Sequence, residues 1–452
     1  MHHDLLIALP YELTTSLLTV WLRVQEVTAV DSAFCNRDKR RLLQSILTSS
    51  SFVVSAPPGS DMPASFTRWL CLREIRVDTL VVASKYYPDC IGLCEKFGTS
   101  IRHLTLRNMD HKIGKYLSTI DCGRLIRSCT MVSTLVMDTC YIDAATMEAI
   151  SELSDVGEVR LQSCYDRPGD NLDLQQKRKL HVSTLDLGST NPSVSLAMLQ
   201  ACSPVHVQSL DICEVESLDL GLLSRFFSQS SKLTKLCLED VTNNALTTLL
   251  QSCPQVQHLE LFNCLSLTDE SAAPIAQTLT NLKSLDVTFT EFTDVLLEEL
   301  ALHCAGTLET LHISNCFGMS GEGLTTLLEA CGHNTHGKLT TLHMSLFEGL
   351  VFDTAHLGRL TTLSVTMEDV EASYFIRNVL PYCTSLHHLE IQAYDIDVDD
   401  FASNADLFPE GLLALDLISV VSVTNAADCC VLLSEVQEAF PSVAVTLKEI
   451  VD

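Results

Sequence analysis

The phrase Leu-x-x-Leu-x-Leu returns about every 26 residues through most of this chain, and few folds can satisfy such a pattern. Its middle apolar position falls at Ile75, Leu104, Leu135, Val159, Leu185, Leu210, Leu236, Leu259, Leu285, Leu311, Leu342, Leu363, Leu389 and Leu415. The phrase itself alternates as a strand does, and the rest of each period has room for one helix. A unit of that size cannot bury its apolar edge alone, so it hides that edge against its neighbours. The expected fold is therefore α/β: a curved solenoid with a parallel strand ladder on the concave face and helices on the convex face. Such a surface is suited to binding.

Composition narrows the partners. Apolar residues make up 46% of the 452, enough for a continuous core. Lys and Arg number 29 against 57 Asp and Glu, a formal charge of -28. That excess argues against nucleic acid and against an anionic membrane surface, since both reward positive charge. It favours a basic partner wherever the charge is localised. No run of 18 apolar residues occurs, so no bilayer span is expected.

The 19 cysteines contain no Cys-x-x-Cys pair, and many of them occupy two regular positions. Cys129, Cys253 and Cys383 lie six residues before an anchor, where a helix should end. Cys140, Cys164, Cys264 and Cys316 lie five residues after one, just past the strand. A small, easily buried side chain suits a tight turn stacked on its equivalent in the next repeat, so structural burial is expected. The N-terminus lacks the charged region and long apolar run of a secretory leader, which points to reduced thiols in the cytoplasm or nucleus.

Three stretches follow along the chain. Residues 1–50 read as a small helical unit: Pro10 and Glu12 suit the start of a helix, and Leu13, Leu17, Leu18, Trp21 and Leu22 share one face. Val27, Val30, Phe34 and Cys35, then Arg40, Leu42, Leu43, Ile46 and Leu47, suggest two further short helices. Residues 51–65, with Pro57-Pro58-Gly59 and Pro63, read as a linker. The solenoid, about 14 repeats, occupies 66–452. Residues 332–337 look like an inserted loop, and 165–179 like an irregular connection. Val443, Val445 and Leu447 alternate as a last edge strand would.

In each strand the anchor and the residue two after it should point inward, so the residues one before, one after and three after face the open side. The column just after the anchors includes Asp186, Asp211, Glu260 and Asp286, with Glu239 nearby, followed by His312 and His343. Read this way the face carries an acidic stripe, which is either a docking site for a basic segment or the solvated face of an acidic protein. The stacked histidines lack an obvious third ligand, so no metal is expected there. They could make binding sensitive to pH. Phosphate-cradling glycine loops and metalloprotease motifs are absent, and neither catalysis nor a cofactor is expected.

The phrase SCPQVQHLELFNCLSLTDESAAPIAQTLTNLKSLDV, with Cys264 after the strand and Thr268-Asp269 opening the helix, resembles the cysteine-containing class of leucine-rich repeat. The N-terminal segment resembles a divergent F-box: Leu9, Pro10, Glu12 and Leu13 match its opening Leu-Pro-x-Glu-Leu, and Leu17, Leu18 and Leu22 its apolar ladder. It departs from that pattern after Cys35, where Asp38 stands in place of a tryptophan. The resemblance implies a substrate-recognition subunit of an SCF-type cullin–RING ubiquitin ligase. Leu9, Pro10, Leu13 and Leu17 would contact the SKP-type adaptor, and the concave face an unknown protein substrate. The alternative is a non-catalytic interaction scaffold whose N-terminal helices cap the first repeat.

Overall fold

The computed structural model describes residues 41–47 apart from 42 and 46, 53–55, 64–84, 87–109, 121–166, 172, 179–333, 337–347, 350, 353–367, 370–393, 401–419 apart from 402, and 436–449 apart from 438. The chain divides into two compact units, 1–213 and 214–452. Both are leucine-rich repeat solenoids, built from short parallel strands that alternate with helices.

In the first unit β1 (Val53–Ser55), β2 (Arg76–Ala83), β3 (His103–Arg107), β4 (Thr134–Asp138), β5 (Glu158–Gln162), β6 (Thr184–Leu187) and β7 (Ser209–Ile212) pair in chain order, all parallel. Helices α1 (Ala64–Arg73), α2 (Tyr87–Phe97), α3 (Cys122–Ser128), α4 (Ala144–Ser151) and α5 (Pro192–Ala201) fill most of the connections. Asp121, Asp143 and Asn191 start the last three by accepting a backbone N–H from the first turn, and Pro192 opens α5.

The second unit continues with α6 (Leu220–Gln229), β8 (Lys235–Glu239), α7 (Asn243–Ser252), β9 (His258–Phe262), α8 (Ala272–Thr278), β10 (Ser284–Asp286), α9 (Asp294–His303), β11 (Thr310–Ile313) and α10 (Gly321–His333). It closes with β12 (Thr341–Leu346), β13 (Thr362–Met367), α11 (Ala372–Asn378), β14 (His388–Ala393), β15 (Ala414–Ser419) and β16 (Ala444–Glu449). Its strands again pair in order and in parallel. Among the described residues no helix is long and apolar enough to cross a membrane.

The anchors form the core ladder. Leu104, Leu135, Val159, Leu185 and Leu210 are register partners in the first unit, and Leu236, Leu259, Leu285, Leu311, Leu342, Leu363, Leu389 and Leu415 in the second; all are buried. The first anchor needs correction. Leu104 pairs with Leu80, whereas Ile75 lies in the turn before β2, after Glu74 in the left-handed region. Ile75 is buried all the same, which is why its spacing imitates an anchor. The expected linker also contains a strand, because Val53–Ser55 pairs with β2, and its proline-rich remainder lies outside the described residues. The helix α10 runs through His333 into the stretch expected to be a loop. The expected edge strand is present as β16.

A device invisible in the leucine spacing ends the shorter strands. Four residues after the anchor the chain takes a left-handed φ near 50–60°, at Asn108, Thr139, Ser163, Ser189, Glu214, Asp240, Asn263, Phe289 and Asn315. None is glycine, and the three asparagines are the residue type that best tolerates this region. The turned backbone N–H still bonds to the next repeat, as from Asn108 to the Asp138 carbonyl at 2.9 Å and from Thr139 to that of Gln162 at 2.9 Å. On β12, β13 and β14 the same offset is Leu346, Met367 and Ala393, all buried, and these strands lengthen to six residues. An inward apolar side chain at that offset continues the two-residue alternation, so the strand has no reason to turn.

The cysteines just past the strands reach back to the strand of the preceding repeat. Their thiols donate to the carbonyl two residues after the preceding anchor: Cys140 to Leu106 at 3.3 Å, Cys164 to Met137 at 3.4 Å, Cys264 to Leu238 at 3.5 Å and Cys316 to Val287 at 3.1 Å. Thr190 does the same for Leu161 at 2.6 Å. Burial pushes the Cys264 thiol up to about 11 and those of Cys253 and Cys383, at helix ends, to about 12. These groups stay protonated and hold structure.

Candidate protein-binding face

Alternation leaves the residue after each anchor on the outer side of the ladder. In the first unit the column reads Thr105, Val136, Arg160, Asp186 and Asp211 in cross-strand register. Asp186 and Asp211 are partners on β6 and β7, as the sequence predicts. Arg160 stands on the other side of Asp186 but is drawn to Glu158, whose Oε1 its Nε approaches at 2.6 Å. Asp186 accepts from the Gly188 backbone N–H at 3.0 Å, just where β6 ends. This carboxylate therefore has a local duty in terminating its strand.

In the second unit the column reads Cys237, Glu260, Asp286, His312, His343, Ser364, Glu390, Asp416 and Thr446, again in register. Glu260, Asp286, His312 and His343 are thus brought together, whereas Glu239 sits two residues further along its strand, beside Phe262. The carboxylates of this column are tied to neighbours. Glu260 pairs with Lys235 at 2.7 Å, Asp286 approaches His312 Nδ1 at 3.4 Å, Glu390 accepts from Ser364 at 2.7 Å, and Asp416 lies 3.2 Å from His388 Nε2. Asp286 also accepts from the Thr288 backbone N–H at 2.9 Å, repeating the role of Asp186. These contacts relieve the carboxylate repulsion without a partner, yet leave the side chains partly exposed to one. Leu9, Pro10, Leu13 and Leu17 lie outside the described residues.

The two histidines stack, with ring centroids 3.8 Å apart and 21° between planes. Burial, and behind it the neighbouring His312, pulls the His343 imidazole down to about 4. His258, on the same face, is also lowered, first by burial and then by Lys283 and Lys235. The unfolded chain takes up the His343 proton near 6.5, so protons favour unfolding between that value and about 4. Stability from this group is complete above pH ~6.5 and drains as pH falls toward 4. Urea midpoints measured from pH 7 to 4.5 should fall less steeply in His343→Gln than in the wild type. Parallel slopes would show that His343 titrates normally in the folded protein.

One further cluster gathers ligand-type atoms: Glu329, Asp353 and His356 lie within 4.8 Å of one another. Both carboxylates are exposed, and Asp353 spends one oxygen on the Ala355 N–H at 2.8 Å. Nothing distinguishes this trio from solvated surface groups.

Charge and imidazole are not the whole of the outer side of the second unit, which also carries an apolar row absent from the sequence expectations. Phe262, Leu265, Phe289 and Phe317 are 52%, 62%, 47% and 62% exposed. They occupy offsets that alternation or the left-handed turn directs outward. The signal in the sequence is Phe262, three residues after the Leu259 anchor and so at an outward position of its strand.

No protein-family profile matches the chain. Among solved structures it is similar to a chain in the crystal structure of the Rad7–Elc1 complex from yeast, at 15% identity and a TM-score of 0.38, covering 81% of this chain and 87% of that one. That likeness adds nothing to the ladder geometry.

Proposed function

We propose that this chain is a non-catalytic receptor whose strand face holds a protein substrate. Its N-terminal helices would dock on the SKP-type adaptor of a cullin–RING ubiquitin ligase, placing it in the cytoplasm or nucleus. The observation that carries the recognition half is the registered row Glu260, Asp286, His312 and His343, presented half-exposed on a hydrogen-bonded ladder. Side chains held on paired strands lose little freedom on binding, which is what a recognition surface requires. The adaptor half rests on the F-box-like residues Leu9, Pro10, Glu12 and Leu13. A receptor of this kind needs two surfaces and no chemistry of its own.

A second reading keeps the recognition face but makes the N-terminal helices a cap. It is favoured by Leu43 and Leu47, which lie in a helical stretch and are buried. Capture on immobilised SKP-type adaptor separates the two. Wild type should be retained, and Leu9→Asp combined with Leu13→Asp should lose capture while keeping its circular dichroism. A folded double variant captured as well as wild type, or no capture of either, would remove the ligase role.

A further inference from the structure

The exposed apolar row of the second unit has no explanation in the core. Phe262 and Leu265 follow the Leu259 anchor, Phe289 follows Leu285, and Phe317 follows Leu311. Phe347, from the next repeat, packs edge-on to Phe317 with ring centroids 6.3 Å apart. These two phenylalanines rim a small cleft, lined also by Met319, Met344 and Leu350. The cleft lies where the left-handed corners give way to six-residue strands: Asn315 makes the last described corner and β12 is the first six-residue strand. Single exposed apolar residues are ordinary, but a run of them over three successive repeats marks a contact surface.

Charge identifies what covers it. Phe262 is the register partner of Glu239, and exposed Asp240 follows directly. Exposed Glu291 lies two residues past Phe289, and Glu260 and Asp286 stand in the column beside the row. Lys235 is engaged with Glu260, and Lys283 lies at the opposite end of its strand. An apolar row with an acidic margin complements a segment that carries apolar and basic side chains together. A second copy of this chain, at -28, would bring its own negative charge to the same margin.

We propose that Phe262, Phe289, Phe317 and the Phe317–Phe347 cleft, with Glu239, Glu260 and Asp286 alongside, dock a short segment of a partner protein that carries an aromatic or leucine anchor flanked by Arg or Lys. This rests on the receptor reading and specifies the substrate feature recognised. Phenylalanine rings would supply the contact area and carboxylates the selection against acidic competitors.

The test is selection of a phage-displayed random 12-residue peptide library on the full-length protein. Enriched peptides are then measured by fluorescence anisotropy. Binders should carry Lys or Arg within three residues of Phe, Leu or Trp, and should weaken markedly between low and high salt. Phe289→Ser with Phe317→Ser, two exposed positions, should reduce affinity at least tenfold without changing circular dichroism. Peptides lacking the signature, or bound equally by the double variant, would overturn the proposal, as would a selection that enriches nothing. Binding lost in Glu260→Lys with Asp286→Lys but kept in the phenylalanine variant would overturn this row while sparing the recognition face. A dimer in sedimentation that dissolves in the phenylalanine variant would assign the row to a second copy and also overturn it. Adaptor capture is read separately, so its failure is distinguishable from all of these.

Discussion

Leu285→Ala is expected to destabilise the protein by about 3–4 kcal/mol, a large part of the stability of a typical domain. Leu285 is fully buried on β10 and is the register partner of Leu259 and Leu311, both also fully buried. Removing its side chain loses the transfer energy and opens a cavity. The neighbouring leucines cannot collapse into that space, because hydrogen bonds on both sides hold their strands in place. Leu302, 75% exposed on α9, provides the control: its change to alanine should cost under about 0.5 kcal/mol. Urea unfolding followed by circular dichroism measures both. Equal midpoints for the two variants would mean that the ladder is not the core.

The next largest effect is expected at Asp269, where alanine should cost about 2 kcal/mol. Its carboxylate spans two repeats, accepting from the Thr293 backbone N–H at 2.9 Å and from the Thr293 hydroxyl at 2.6 Å. These bonds tie Thr293, whose own hydroxyl caps α9 by accepting from the Val295 N–H, to the preceding repeat. The same duty passes along the unit. Asn243 accepts from the Thr268 N–H at 3.1 Å and the Ser271 hydroxyl at 2.7 Å, and Asp294 accepts from the Ser320 N–H at 2.6 Å. Because an asparagine already performs this role one repeat earlier, Asp269→Asn should recover more than half of the loss. An asparagine variant no better than alanine would show that the negative charge, rather than the acceptor geometry, supplies the stability.

Much of the ladder is legible in the order of the residues. The anchors from Leu104 to Leu415 are register partners within their units because strand alternation and the 26-residue period are written in adjacent residues. The buried cysteines are legible for the same reason, since their offset from the anchor puts them under the next turn. Thr268-Asp269 marks a helix opening, but its reach to Thr293 is hidden, because that bond joins residues 24 apart in the chain. Ile75 misleads because burial alone can imitate ladder membership. Asp186 and Asp286 suggest a partner by their charge, whereas each bonds a backbone N–H two residues on and helps to end its own strand.

Sequence alone settled the repeat, the inward and outward faces, and the acidic and imidazole character of the outer column, because all three follow from spacing along one strand. Stacking decided the rest. Only when repeats lie side by side does Lys235 meet Glu260, His312 cover His343, and Phe317 reach Phe347. Each of these pairs joins neighbouring repeats, and the backbone corner or strand length that sets its geometry depends on contacts the linear order does not contain.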